Sequence, residues 1–205
     1  MDKKVINGKT EELLSNLSSN DILKNFYLAG GTSLALQYLH RKSIDLDWFS
    51  QEEVNTNNLK KKLSKIEKLN IKTEESDTLN LEINKIQLSF FHYPYKILFP
   101  FIDYKGIKLA DERDIACMKL YAISSRGSKK DFIDLFFILK KYSLSEIIKL
   151  LDKKYENIRY NKLHILKSLT YFTEADNEPM PIMIKETNWK DIKLFFQDLA
   201  KKIEI

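Results

Sequence analysis

The sequence predicts a mixed α/β fold, with an α/β N-terminal half and an all-helical C-terminal half. Three observations predict it. Short runs of alternating apolar and polar residues are confined to the first 110 positions. After Asp111 the apolar period becomes helical and stays so. The 205 residues are 43% hydrophobic and 31% charged, enough to bury one large core. The expected organisation is an α/β core over residues 1–110 and a helical region over 111–205 packed on it as one compact unit.

The elements follow in order. Residues 10–24 have helical periodicity, with Thr10 as N-cap and Glu11 and Glu12 in the first turn. "FYLA" (26–29) is an apolar strand ended by Gly30-Gly31, and "TSLALQYLH" (32–40) is a helix. "SIDLDWF" (43–49) alternates, with Ile44, Leu46 and Trp48 on one face and Asp45 and Asp47 on the other. A lysine-rich amphipathic helix spans 56–68, and "IKTEES" (71–76) is a further strand. "TLNLEI" and "IQLSFF" flank Asn84-Lys85, which predicts a hairpin over 78–91. The expected mixed sheet holds 26–29, 44–49, 79–83 and 86–91. "YKGIKLA" (104–110) is a short strand bent at Gly106, and Asp111 caps the first of five helices, near 111–125, 129–141, 144–156, 159–170 and 188–203. Asn177–Pro181 is a loop between the last two.

Composition narrows the function classes. No apolar run approaches the ~20 residues of a membrane-spanning helix. The opening MDKKVINGKTEELL has no apolar segment of the leader type, so a cytoplasmic, non-membrane protein is expected. The one cysteine, Cys117, excludes an internal disulfide and fits a buried bystander. His40, His92 and His164 lack metal-ligand spacing, so no zinc site is expected. Net charge is +5, and residues 111–170 hold 13 Lys and Arg against 8 Asp and Glu, while the rest of the chain is balanced at 21 each. That segment suits phosphates or nucleic acid, although solvated helix faces account for it as well. Tyr93, Pro94 and Tyr95 fit the closing of a strand end better than a base-stacking platform.

The chemistry lies in "GGTSLALQYLHRKSIDLDWFS" (30–50). Strand residues i and i+2 share a face about 6.6 Å apart. Asp45 and Asp47 therefore present two carboxylates of the kind hard cations take, or two solvated acids on an edge strand. The glycine pair tips the balance. Gly30 and Gly31 permit positive φ and close approach of a ligand, and Thr32 and Ser33 add hydroxyls where helix N–H groups are free for an anion. A triphosphate loop followed by two metal-binding acids makes a coherent nucleotide site. Arg41 holds either a phosphate or a carboxylate of the fold. Lys119 stands among Ile115, Ala116, Ala122 and Ile123 on one helix face, where it either snorkels or reaches into a site. Asp131 and Asp134 share a side of the next helix.

These residues resemble the signature of the nucleotidyltransferase-like abortive-infection toxins of the AbiEii/AbiGii type, within the nucleotidyltransferase superfamily. The resemblance continues in "DIACMKLYAISSRGSKKDFIDLFFILKKYSL" (114–144) and in the tail from Leu166 to Phe196, and so spans most of 26–196. It implies a nucleotidyltransferase-like mixed sheet and a metal-dependent transfer of a nucleotidyl group from an NTP to an acceptor hydroxyl. It implies Mg2+ or Mn2+ held by Asp45 and Asp47, with Lys119, Asp131 and Asp134 as further active-site residues. It also implies a toxin of an abortive-infection or toxin–antitoxin system, with tRNA or other RNA as acceptor and a separate antitoxin as partner. The chain departs from the superfamily pattern at the third carboxylate. Ser89 stands where that acid is expected, and if Ile83 pairs with Ile86, Glu82 sits opposite Gln87 and substitutes as a metal ligand. Two alternatives remain open. One is a catalytically weakened module that binds nucleotide or a partner on the same fold. The other is a transferase for a small acceptor, as in aminoglycoside-modifying relatives.

Overall fold

The computed structural model describes residues 5–202. Seven strands are present among them: β1 (Tyr27–Leu28), β2 (Leu46–Ser50), β3 (Asn70–Glu75), β4 (Thr78–Ile83), β5 (Ile86–His92), β6 (Ile102–Tyr104) and β7 (Ile107–Leu109). They form one mixed sheet in the order β3-β4-β5-β2-β1-β7-β6. The helices are α1 (Gly8–Ser18), α2 (Gly30–Tyr38), α3 (Thr56–Leu63), α4 (Glu112–Ser125), α5 (Lys129–Leu139), α6 (Leu144–Lys154), α7 (Lys162–Ser168), α8 (Thr173–Asn177) and α9 (Trp189–Lys201). The predicted mixed α/β class and helical C-terminal half are therefore present. None of these helices is long and apolar enough to cross a membrane.

Several local expectations hold for the reasons given. The Asn84-Lys85 turn has φ of 52° and 66°, the doubly positive geometry of a two-residue hairpin. It pairs Ile83 with Ile86 and Glu82 with Gln87. Asp111 caps α4 by accepting the Arg113 N–H at 2.9 Å.

Others are corrected. α1 is capped by Asn7, not Thr10, whose side chain is buried and bonds to Asn7. It stops at Ser18 rather than 24, because Ser18, Ser19 and Asn20 turn their side chains onto carbonyls of the last turn. The strand expected at Ser43 begins at Leu46. Lys42 N–H goes to the Ile182 carbonyl and Ser43 N–H to that of Val5, so these residues join no ladder and Ile44 is exposed. The single strand expected over 104–110 is a hairpin turning at Lys105-Gly106, and α8 was not foreseen.

The pleat decides what faces what. Leu46 and Trp48 of β2, Leu79, Leu81 and Ile83 of β4, and Ile86, Leu88 and Phe90 of β5 lie in one core with α1 and α3. The intervening positions, Asp47, Gln87 and Ser89, face the other way. On that side a second core gathers Tyr27, Ala29 and Leu34 with α4, α5, α6 and α9.

The two halves also meet through buried charge. Lys154 Nζ lies 2.6 Å from Asp114 Oδ1 and donates to the Lys96 carbonyl at 2.7 Å. Asp114 also accepts the backbone N–H of Leu98 and Phe99. The Tyr93 and Tyr155 hydroxyls bond beside it, and Tyr93 packs edge-on to Phe49 and Tyr95, so this segment closes a strand end. Removing one member of such a pair strands a buried charge. Lys154→Met should lower the unfolding free energy by about 3 kcal/mol in urea denaturation; a loss below about 1 kcal/mol would show that the pair is not holding the halves together.

Candidate active site

Most of the residues that the sequence marked meet at a cleft of about 580 Å³ between the polar face of β2–β5 and the facing ends of α4 and α5. Its sheet wall follows from register. Asp47 pairs directly with Ser89 across parallel strands. Asp45 lies just outside the strand, and the Thr32 hydroxyl ties it down by donating to the Asp45 carbonyl while accepting from Ser43 at 2.7 Å. The glycine pair is required by its neighbours. Gly30 has φ +64°, and a Cβ there would stand 2.9 Å from Asp47 Oδ2. A Cβ on Gly31 would stand 2.3 Å from Arg41 Nη2, a group with no room to retreat because a carboxylate holds it.

That carboxylate is Asp134, with no exposed surface. Arg41 donates to it from Nε at 2.7 Å and from Nη2 at 2.8 Å. His40 Nε2 lies 2.8 Å from Oδ1 and Lys119 Nζ 2.7 Å from Oδ2. Lys119 also reaches Asp131 at 2.7 Å. Asp131 in turn receives Arg126 from Nε at 2.8 Å and the Ser128 hydroxyl at 3.0 Å. Three cations thus grip two carboxylates. Burial alone would raise both acids. Lys119 and Arg41 overcome it and hold Asp134 well below the usual range, and Lys119 and Arg126 hold Asp131 at about 2. Burial opposes the Lys119 charge too, but Asp131 and Asp134 outweigh it and keep its pKa raised. His40 goes the other way. Burial lowers its pKa against the pull of Asp134, so the neutral ring donates through Nε2 and leaves Nδ1 unbonded.

Asp45 and Asp47 contrast with this pair. Neither has an ion pair or a side-chain hydrogen bond among the described residues. Burial pushes the Asp47 carboxyl upward, Lys119 and Arg126 pull it down, and Asp45 adds to the rise.

Gly31, Thr32, Arg41, Asp45, Asp47, Lys119 and Asp131 all line the cleft. Asp134 stands behind it. Gly30 acts through its contact with Asp47, and Ser33 is buried inside α2, bonded to Gln37. Glu82 lies two strands from Asp47, outside the cleft, held by Gln87 at 2.8 Å and Lys72 at 3.5 Å. Accordingly, no group of three or more His, Cys, Asp or Glu side chains is placed to hold a metal among the described residues. Sequence reasoning missed His40, Arg126, Ser128, Lys130 and Glu178. The His40-Arg41 doublet was visible, but its partner Asp134 lies 94 and 93 positions away. Glu178 accepts the Lys129 N–H at 2.8 Å and so caps α5 from a distant loop.

The profile of the AbiEii nucleotidyl transferase toxins of type IV toxin–antitoxin systems matches residues 12–110. An uncharacterised protein of Aquifex aeolicus is 38% identical over 197 residues, 93% of this chain and 94% of its own. Two solved structures share the fold. JHP933 from Helicobacter pylori superposes with a TM-score of 0.56 at 16% identity, covering 94% of this chain and 89% of its own. MenT4, a nucleotidyltransferase toxin from Mycobacterium tuberculosis, gives 0.54 at 12% identity, covering 97% and 87%. Residues 12–110 thus match the AbiEii family of nucleotidyl transferase toxins, and the likeness to the Aquifex aeolicus protein runs across nearly the whole chain.

Proposed function

We propose that the cleft binds an NTP through a divalent cation held by Asp45 and Asp47, and transfers its nucleotidyl group to an RNA hydroxyl, with tRNA the expected acceptor. One observation carries this proposal: of the four aspartates gathered here, Asp131 and Asp134 are saturated by cations, while Asp45 and Asp47 have no cation in direct contact. Two adjacent unpaired carboxylates beside a glycine-lined wall fit a hard cation, and Mg2+ or Mn2+ is of that class. When bound, such an ion neutralises charge on the phosphates and on the leaving pyrophosphate.

The chain's own groups do the rest. α2 has no side-chain cap among the described residues, and its first turn, at Gly31 and Thr32, offers N–H groups to phosphate oxygens. Lys130 is exposed at the cleft with no ion pair among the described residues, and offers a mobile positive charge to the phosphates. Lys119 is different. Asp131 and Asp134 fix its ammonium in place, which favours electrostatic preorganisation over flexible phosphate capture. The acceptor oxygen bonds to the α-phosphorus as the bridging bond breaks, pyrophosphate leaves and the acceptor proton is released. Asp131, held at about 2, stays ionised near neutrality and serves as a positioning group rather than a base. In the cell this activity belongs to a toxin of a toxin–antitoxin or abortive-infection system, restrained by an antitoxin. Ser89 beside Asp47 favours one second reading, in which two acids hold the cation weakly and the cleft serves mainly to bind.

Asp45→Asn and Asp47→Asn should each lower Mg2+-dependent NTP incorporation into total tRNA by about 100-fold or more. Melting should separate this loss from unfolding. The raised Asp47 pKa means that its charge costs the folded state above the unfolded pKa, so apo Asp47→Asn should melt at or above wild type. Wild type should gain melting temperature on adding Mg2+ and NTP, and both variants should not. Wild-type incorporation by both variants would remove the pair from the reaction. A wild-type melting shift without incorporation would favour the binding module.

Acid stability tests the paired set. The depressed Asp131 contributes stability above its unfolded pKa, near 4, and that contribution is lost as pH falls toward about 2. Arg126 is largely exposed, so solvent screening trims the gain to about 2 kcal/mol. Asp131→Asn should lose about that much at pH 7 and flatten the acid limb between about pH 4 and 2 in urea titrations. An unchanged acid limb would mean that Asp131 is not held by Lys119 and Arg126.

A further inference from the structure

A second cavity, of about 530 Å³, opens between the C-terminal end of α4 and the α7–α8 segment. Arg126 lines both it and the cleft, so the two adjoin at that side chain. Three features of the groove belong together. Tyr171 is 61% exposed, the most of any tyrosine among the exposed large residues, and its ring stacks on no other aromatic among the described residues. Lys167 is exposed one turn away and has no ion pair among the described residues. His164 lines the same wall, its Nε2 3.0 Å from the Ser124 carbonyl. Among the described residues only one carboxylate, Glu174, lines the groove.

We propose that this groove seats the terminal nucleotides of a single-stranded acceptor, with one base stacked on Tyr171 and its phosphates on Lys167 and Arg126. This rests on the cleft being a nucleotidyl-transfer site, since only then does a groove leading into it deliver a strand end. An unpartnered aromatic face flanked by mobile cations is how single strands are held without sequence readout. A folded protein partner or a peptide would favour an apolar floor; here the floor is Ser124, Ser125 and Ser168, with Ile123 buried beneath. The positive excess of residues 111–170 includes both Arg126 and Lys167, so the groove lies in the basic part of the chain. Arg126 is already paired with Asp131, yet its side chain remains 65% exposed, leaving its outer N–H edge for a phosphate at the junction.

The test uses fluorescence anisotropy with a labelled single-stranded RNA of about eight nucleotides, alongside melting with Mg2+ and NTP. Tyr171→Ala should weaken RNA binding about tenfold, the loss of one stacked base, and Tyr171→Phe should keep it. Lys167→Glu should weaken it similarly and reduce its salt dependence. The NTP-induced melting shift should equal wild type in all three, since none of these residues touches the triphosphate wall. If wild type fails to incorporate any NTP yet Tyr171→Ala still loses RNA affinity, the groove stands and the transfer reaction falls. Equal RNA affinity in wild type and Tyr171→Ala would overturn the proposal. So would tight binding of the duplex form that ignores Tyr171, or no RNA binding at all.

Discussion

The arrangement depends on a single buried carboxylate. Asp134 sits on α5 with no exposed surface and is met by Arg41 and His40 from the α2–β2 connection and by Lys119 from α4. Removing Arg41 or Lys119 would leave charge under-compensated in a low-dielectric place, so these ion pairs stand or fall together. The chain bends to make them. Leu39 ends α2 with φ 52°, a left-handed conformation that costs a non-glycine residue about 1 kcal/mol. That reversal turns His40 and Arg41 back toward Asp134. Gly31 is glycine because the Arg41 guanidinium occupies the space of a Cβ.

From that anchor the division of labour in the cleft follows. Saturating Asp134 and Asp131 with three cations leaves Asp45 and Asp47 as the carboxylates still in need of a counter-charge. The same network fixes the Lys119 ammonium at the cleft wall. The loop from Glu178 onward then ties the rim, capping α5 through Lys129 and bridging Arg41 to Met183. The cleft is thus framed by α2, α4, α5 and one distant loop, all set by contacts to charged groups rather than by apolar packing alone.

What the sequence revealed was what short-range periodicity controls. The alternation of Leu46, Asp47 and Trp48 placed Asp47 opposite the core, and Asn84-Lys85 fixed the register that set Ser89 against Asn80 and Glu82 against Gln87. Lys119 was conspicuous because its helical neighbours are apolar. What stayed hidden was long-range pairing. Nothing local says that Arg41 belongs to Asp134 or that Glu178 belongs to α5. Glu82 was misjudged for the same reason: its face was right, but the width of β5 separates it from Asp47, and Lys72 holds it. Thr10 reads as a cap from sequence because Asn7, the true one, stands before the apolar period begins.

In the proposed arrangement the unpaired carboxylates, and not the paired ones, take the divalent ion. Electron paramagnetic resonance of Mn2+ titrated into the protein with a non-hydrolysable NTP analogue tests it most directly. Mn2+ should bind wild type and Asp131→Asn alike, and its bound signal should be lost in Asp45→Asn. Retention of the bound signal in Asp45→Asn, or its loss in Asp131→Asn alone, would contradict the account.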